Sequence, residues 1–70
     1  MIKFFLNGES YTIYNNQNNL MVKDILIYFN YKNKIFVIEH NNKICNKRNW
    51  IIQEIKNNDK IEIISIVGGG

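Results

Sequence analysis

The chain has 70 residues, 46% of them hydrophobic, and a formal net charge of +3. This length predicts one domain. No run of about 18 apolar residues suggests a transmembrane helix, and residues 1–6 are too short for a signal peptide, so no membrane partner is expected. The single cysteine, Cys45, excludes an internal disulfide framework and is typical of a reducing compartment. The basic residues are spread along the chain, so nucleic-acid binding is not expected.

Two short apolar runs, residues 2–6 and 10–14, flank the dipeptide Asn7-Gly8. This dipeptide favours a type I′ turn, because both central positions of that turn need positive φ. The second run alternates apolar and polar side chains, which is the period of a strand. The sequence therefore predicts a β-hairpin at the start of the chain.

An amphipathic helix is predicted over residues 20–30, with Asn30 or Asn33 as its C-terminal stop. Its apolar positions follow the spacing i, i+3, i+4, i+7 and are Val22, Ile25, Leu26 and Phe29.

The continuous apolar run at 34–39 predicts a strand buried on both faces. A turn at 40–43 and a short edge strand at 44–45 are expected next. Residues 46–54 show no regular period and predict an irregular segment with apolar anchors. These anchors are Trp50, Ile51, Ile52 and Ile55.

The last strand is predicted over residues 60–67, after a turn at 57–59. Side chains alternate along a strand, so Ile61 and Ile63 share one face while Ile64 and Ile66 share the other. If the first pair faces the helix, the second pair is partly exposed and forms a candidate partner surface that extends to Val67. The alternative is that residues 46–55 cover this second face.

The order of elements is two strands, a helix and two or three further strands. This order predicts an α+β roll with four to five strands and the helix on one face of the sheet. We expect the domain to span residues 1–67, followed by a flexible tail at 68–70.

Ordinary catalytic constellations are not predicted. His40 and Cys45 stand five positions apart, but a nucleophile also needs an oriented base, so we interpret the pair as coincidental. One His is too few for a His-based metal cluster, and no phosphate-binding loop is present. The remaining candidate is the glycine tail, Gly68, Gly69 and Gly70. Its residues have no side chains, so it is a narrow, flexible segment that ends in a carboxylate. A disordered end and a cloning scar are the alternatives for this tail.

The whole pattern resembles the ThiS family of sulfur carriers in thiamin biosynthesis, which have the ubiquitin-like β-grasp fold. The similarity includes the Leu-Asn-Gly hairpin at 6–8, the helix at 22–26 and the strand at 34–39. It also includes the basic-to-aromatic segment at 47–50, and it is strongest from 59–63 into the ending at 67–70. Two positions depart from the family pattern. Met21 stands where a small helix-capping residue is common, and Asn46 stands where a small residue or Pro is common.

The resemblance implies a carrier and not an enzyme, with no bound cofactor. An E1-like adenylyltransferase would use ATP to adenylate the Gly70 carboxylate. A sulfur nucleophile, supplied by a desulfurase, would then displace AMP and leave a thiocarboxylate. Thiazole synthase would take this sulfur, and Gly68 and Gly69 would give the tail clearance in the partners' narrow channels.

Three other functions stay open: a sulfur carrier for molybdopterin or tRNA thiolation, a protein-conjugating ubiquitin-like modifier, and a β-grasp binding module that contacts RNA. The abundance of Asn, Ile and Lys is typical of AT-rich genomes. We therefore expect a cytoplasmic protein, or one of the plastid stroma if it is organelle-encoded.

Overall fold

The computed structural model describes residues 1–14, 19–31 and 36–65, and the fold is given for these residues. Its elements are β1 (Ile2–Leu6), β2 (Glu9–Ile13), α1 (Val22–Tyr28), β3 (Phe36–His40), β4 (Lys43–Ile44) and β5 (Lys60–Ser65). The strands form one sheet in the order β2-β1-β5-β3-β4. Only β1 and β5 are parallel, so the sheet is mixed. The predicted α+β class, with four to five strands and one helix, is confirmed.

The first hairpin matches the prediction. β1 and β2 pair antiparallel, and the turn residues Asn7 and Gly8 have φ values of 50° and 86°. A Cβ atom at Gly8 would meet nothing within 4 Å, so the glycine serves the backbone angle and not a close approach. The local turn chemistry of the Asn-Gly pair is therefore sufficient to fix this hairpin.

The helix begins at Val22, and Met21 before it makes no side-chain capping bond. The carbonyls of Gln53 and Trp50 instead accept the N–H groups of the first two helical residues, each at 2.9 Å. The Asp24 carboxylate accepts the N–H of Met21 at 2.8 Å, which completes the cap from within the helix. Backbone carbonyls from a distant segment thus replace the small capping residue that is absent from the sequence.

The helix ends at Tyr28, and Asn30 is its stop, with φ of 62°. The N–H of Tyr31 donates to the Leu26 carbonyl at 2.8 Å, and that of Asn30 donates to the Ile27 carbonyl at 3.1 Å. This pair of bonds is a Schellman motif with Asn in the left-handed position. The predicted helix of 20–30 is therefore confirmed in position but is shorter at both ends.

The prediction that the strand at 34–39 is buried on both faces is wrong. Residues 34 and 35 lie outside the described residues, and within β3 only Ile38 is buried. Its neighbours Val37 and Glu39 point to the opposite face and are half-buried. The helix covers one face of the sheet, and the other face of β3 meets no second layer among the described residues.

The turn between β3 and β4 is formed by Asn41 and Asn42, with φ values of 52° and 70°. The edge strand that follows is Lys43–Ile44, one residue earlier than predicted. Left-handed Asn is a general feature of this fold: all the described non-glycine residues with positive φ are asparagines. They are Asn7, Asn30, Asn41, Asn42 and Asn58.

Between β4 and β5 the chain forms a short 3₁₀ turn, Lys47–Asn49, and an irregular connection. Of the four predicted anchors, Ile55 is fully buried and Trp50 is half-buried. Ile51 and Ile52 are 61% and 67% exposed, so their prediction as anchors is wrong. The carbonyl of Trp50 is directed at the start of α1, and the two isoleucines after it turn outward.

The core lies between α1 and the inner face of the sheet. Its fully or nearly fully buried members come from β1, α1, β3 and β5, and from the segments that precede α1 and follow β4. They are Phe4, Leu6, Leu20, Val22, Ile25, Leu26, Ile38, Cys45, Ile55, Ile61 and Ile63.

Candidate functional site

The candidate site begins where β5 ends. The strand was predicted over 60–67 and is described over Lys60–Ser65, with Ser65 opposite Phe36 of β3. Five predicted site residues lie outside the described residues: Ile66, Val67, Gly68, Gly69 and Gly70. The domain boundary at residue 67 and the roles of the glycines therefore stay predictions.

β5 is held along both edges, because it is the central strand between β1 and β3. Its inward side chains, Ile61 and Ile63, are 1% and 7% exposed. The Asn7 side chain extends the hydrogen bonding between β1 and β5 past the end of β1, since its Oδ1 accepts the N–H of Ile63 at 2.8 Å. The Asn7 N–H donates to the Ile61 carbonyl at 2.9 Å. The sheet therefore supports β5 well past the last residue of its parallel neighbour.

Ile64 projects from the face that α1 does not cover, and it is 48% exposed. This answers the alternative left open by the sequence: residues 46–55 do not bury it. Val37 lies directly opposite Ile64 on β3 and is half-buried. Phe5 of β1 is also half-buried on this face, but it lies beside Lys60, four positions along β5 from Ile64. We call Val37 and Ile64 the outer apolar patch.

Phe5 and Val37 were missed by sequence reasoning, although a signal for both exists. In β1 the buried residues are Phe4 and Leu6, so strand alternation places Phe5 on the opposite face. Val37 alternates in the same way with the buried Ile38. An apolar residue at an outward position of a strand is the pattern to look for.

Two carboxylates also stand on the outer face, because Glu39 of β3 is directly opposite Glu62 of β5. Neither forms a salt bridge with a described residue. Like charges placed opposite each other on a sheet destabilise it slightly. Lys3 lies near Phe5, with its Nζ 5.6 Å from the centre of the Phe5 ring.

His40, interpreted from the sequence as a turn residue, belongs to a polar cluster at the start of β5. Its Nε2 donates to Asp59 Oδ2 at 2.6 Å. Asp59 also accepts from the Asn41 side chain at 3.1 Å and from the Lys56 N–H at 2.8 Å. Burial alone would raise the pKa of the Asp59 carboxyl, but these hydrogen bonds outweigh it and hold that pKa below its usual range.

Cys45 does not contact His40 through a hydrogen bond; its Sγ lies 4.0 Å from the Asn46 carbonyl oxygen. Burial raises the pKa of the Cys45 thiol, which disfavours the nucleophilic thiolate. Within residues 1–14, 19–31 and 36–65, no three His, Cys, Asp or Glu side chains gather as a metal site would need. In the same ranges, no helix is long and apolar enough to cross a lipid bilayer.

Comparison with known proteins agrees with this geometry. The chain is 51% identical over 67 residues to the uncharacterized protein ycf40 of Trieres chinensis, an alignment that covers 96% of this chain and 88% of the relative. It is 37% identical over 49 residues to the sulfur carrier protein ThiS of Bacillus subtilis, covering 70% and 74% of the two chains.

A crystal structure of thiamine biosynthesis protein ThiS from Geobacter metallireducens superposes with a TM-score of 0.83 at 20% identity. The superposition covers 99% of this chain and all of that one, which confirms the β-grasp fold. The sequence model described as the ThiS family matches residues 4–70, a range that includes all three terminal glycines. The chain therefore belongs to the ThiS family.

Proposed function

We propose that this protein is a sulfur carrier that works through its last residue, Gly70. The family match through residue 70 is the observation that carries this proposal. The central, doubly supported strand β5 adds to it, because a rigid strand that leads into three glycines can present a chain end to a narrow site.

The chemistry requires activation, because a carboxylate has no good leaving group. The Gly70 carboxylate attacks the α-phosphorus of ATP in an E1-like adenylyltransferase, and pyrophosphate leaves. A sulfur nucleophile at the oxidation level of sulfide then attacks the acyl carbon and displaces AMP. The product is a thiocarboxylate, whose sulfur thiazole synthase takes into the thiazole ring of thiamin. A desulfurase supplies the sulfur as a persulfide, and a thiol reductant brings it to the level of sulfide as the thiol is oxidised to a disulfide. The activating partner holds the ATP.

The outer apolar patch is the proposed contact with the activating enzyme. Ile64 is about half exposed one residue before the described end of β5, so a partner that binds the tail also reaches this face. Together with Ile66 and Val67, this surface forms the proposed interface. Apolar side chains that are partly open to solvent gain stabilisation when a partner covers them.

The proposed compartment is the plastid stroma, with an organelle gene as the source. The Asn-, Ile- and Lys-rich composition and the similarity to ycf40 support this location. Immunogold labelling of the source cells tests it, and label confined to the cytosol contradicts it.

The intact mass of the protein purified from its own cells tests the function. We expect a species in which one oxygen is exchanged for sulfur, and its loss when Gly70 is deleted. The Cys45→Ala variant is the matched control, because it removes the chain's thiol and with it any persulfide there. Persistence of the sulfur species in Cys45→Ala, together with its loss when Gly70 is deleted, assigns the sulfur to the chain end.

Two results contradict the proposal. If the sulfur species survives deletion of Gly70, the carrier residue is elsewhere. If the protein is recovered in isopeptide linkage to lysines of other proteins, it is a modifier and not a sulfur carrier.

A further inference from the structure

The outer edge of β3 is only partly covered by its neighbour. β4 pairs with Glu39 and His40, and one further bond joins the Cys45 N–H to the Ile38 carbonyl at 2.8 Å. The chain then leaves the sheet for the 3₁₀ turn Lys47–Asn49. Phe36, at the beginning of β3, is left beyond the end of this pairing.

The backbone groups of Phe36 point outward along this edge. Asn41 donates its N–H to the Lys60 carbonyl on the β5 side, so residues of β3 at odd positions face β5. Even-numbered residues face away from β5, as the bond at Ile38 confirms. Phe36 has no partner in the described residues of β4, and its position in the register turns its N–H and C=O away from β5. An edge of this kind is a template for another strand.

A groove of about 340 Å³ runs along this open edge. Trp50 forms a fixed wall, because its ring stacks on that of Phe36 with centroids 5.3 Å apart and planes 11° apart. The Trp50 Nε1 donates to the Cys45 carbonyl at 3.0 Å, which fixes the other end of the indole. Val37, Ile44 and Lys47 also line the groove. A preformed groove lowers the entropy cost of binding.

Lys47 is the charged side chain that lines this groove, and Arg48 follows it in the exposed 3₁₀ turn. Neither forms a salt bridge with a described residue. The residues outside the described ranges contain no Asp or Glu, so no acidic side chain of those segments neutralises them. The groove therefore complements an acidic ligand.

We propose that this groove binds an extended acidic peptide segment of a partner protein, which adds as a strand to the edge of β3 at Phe36. Main-chain hydrogen bonds between the peptide and Phe36 provide affinity, as in other complexes formed by strand addition. Carboxylates of the peptide next to Lys47 and Arg48 provide selectivity. Phe36 is directly opposite Ser65, the last residue of β5. The added strand would lie on the far side of β3, two strand spacings or about 10 Å from that end of β5. The site does not use Gly70, so it is separate from the sulfur chemistry, although Val37 of the outer apolar patch also lines the groove.

The test uses a displayed library of ten-residue peptides with two fixed adjacent acidic residues and all other positions random. We expect enriched peptides to bind the double variant Lys47→Glu/Arg48→Glu at least about tenfold more weakly than the unmodified protein, a difference of about 1.4 kcal/mol. Lys23→Glu, an exposed lysine on α1, is the matched control and keeps full affinity.

The backbone of the bound peptide gives a second readout. N-methylation at alternate peptide positions removes strand hydrogen bonds on one edge only, so one methylation pattern abolishes binding and the shifted pattern does not. In amide NMR spectra of the unmodified protein, the Phe36 N–H shifts on binding and gains protection from exchange.

Three outcomes overturn the proposal: no library peptide enriched on the unmodified protein over the charge-reversed double variant, equal binding with either methylation pattern, or an unchanged Phe36 amide. Binding of an oligouridine RNA that is lost in Lys47→Glu/Arg48→Glu, with no peptide enriched, assigns the groove to nucleic acid instead.

Discussion

The two faces of the sheet carry similar apolar side chains but differ in what covers them. On the inner face, Ile61 and Ile63 are buried against the core that α1 completes. One position further along the same strand, Ile64 is about half open to solvent beside Val37. A period of two therefore divides β5 into positions that stabilise the fold and positions available to a partner. Among the described residues, α1 completes the core on one face of the sheet, and the other face stays open to solvent.

The largest expected effect comes from truncating an inner-face residue. We expect Ile61→Ala to lower the free energy of unfolding by about 2–5 kcal/mol, because it removes a fully buried side chain and leaves a cavity. Ile64→Ala, the matched truncation on the outer face, should lower it by less than about 1.5 kcal/mol, since that side chain is half exposed. Urea unfolding followed by circular dichroism measures both. Equal losses would contradict the division of β5 into two roles.

The next-largest effect concerns the polar cluster of His40, Asn41 and Asp59 at the start of β5, the strand that contributes to both faces of the sheet. Asp59→Asn should lower the free energy of unfolding by about 1–2 kcal/mol at pH 7, because it weakens the bonds from His40, Asn41 and the Lys56 N–H.

The same variant has a pH signature. The folded-state pKa of Asp59 is lowered, so the unfolded chain binds its proton more readily. The stabilisation is complete above the unfolded-state pKa of about 3.9 and declines as the pH falls through the folded-state value. Urea midpoints from pH 7 to pH 2 should therefore decline less steeply below about pH 4 in Asp59→Asn than in the unmodified protein. Parallel curves would show that Asp59 does not contribute through its charge.

On the outer face, the same truncation should change recognition more than stability. We expect Ile64→Ala to raise the KM for this protein in ATP–pyrophosphate exchange by its activating enzyme about tenfold, with kcat unchanged. This pattern corresponds to a contact made equally in the ground and transition states. Ile51→Ala truncates an isoleucine that is exposed elsewhere on the domain and should leave KM unchanged. Equal effects of the two variants would move the interface away from the outer apolar patch.

The smallest effect tests the like charges on the outer face. Glu62→Lys should raise the free energy of unfolding by about 0.2–1 kcal/mol, because it replaces repulsion with attraction toward Glu39 on the neighbouring strand. Thermal unfolding at low salt and at 1 M NaCl measures the change and its screening. A loss of stability in low salt would show that the two carboxylates do not repel.

Sequence reasoning succeeds here where structure is decided locally. The hairpin follows from the Asn7-Gly8 dipeptide, and the alternation in β5 follows from side-chain period. It fails at Ile51 and Ile52, because no period governs that segment and its path is set by the bonds that Trp50 and Gln53 make to a helix far away in the chain.

Long-range contacts explain the other differences. His40 and Asp59 are 19 residues apart, and only the pairing of β3 with β5 brings them together. The burial of β3 was overestimated because an apolar run does not reveal whether a second layer covers the sheet. The groove at Phe36 arises from the early end of β4, which depends on where Trp50 packs.

The left-handed asparagines lead to a further point about how this chain uses its residues. Codons for Asn are rich in A and T and those for Gly are rich in G and C, and five described turn positions with positive φ carry Asn where other proteins commonly use Gly. Asn thus supplies the left-handed angle at five described positions, while Gly8 keeps glycine where only the angle requires it. Of the four glycines in the chain, three stand together at 68–70. Asparagine can supply the angle but not the absence of a side chain, which is the property that the proposed role of these three glycines requires.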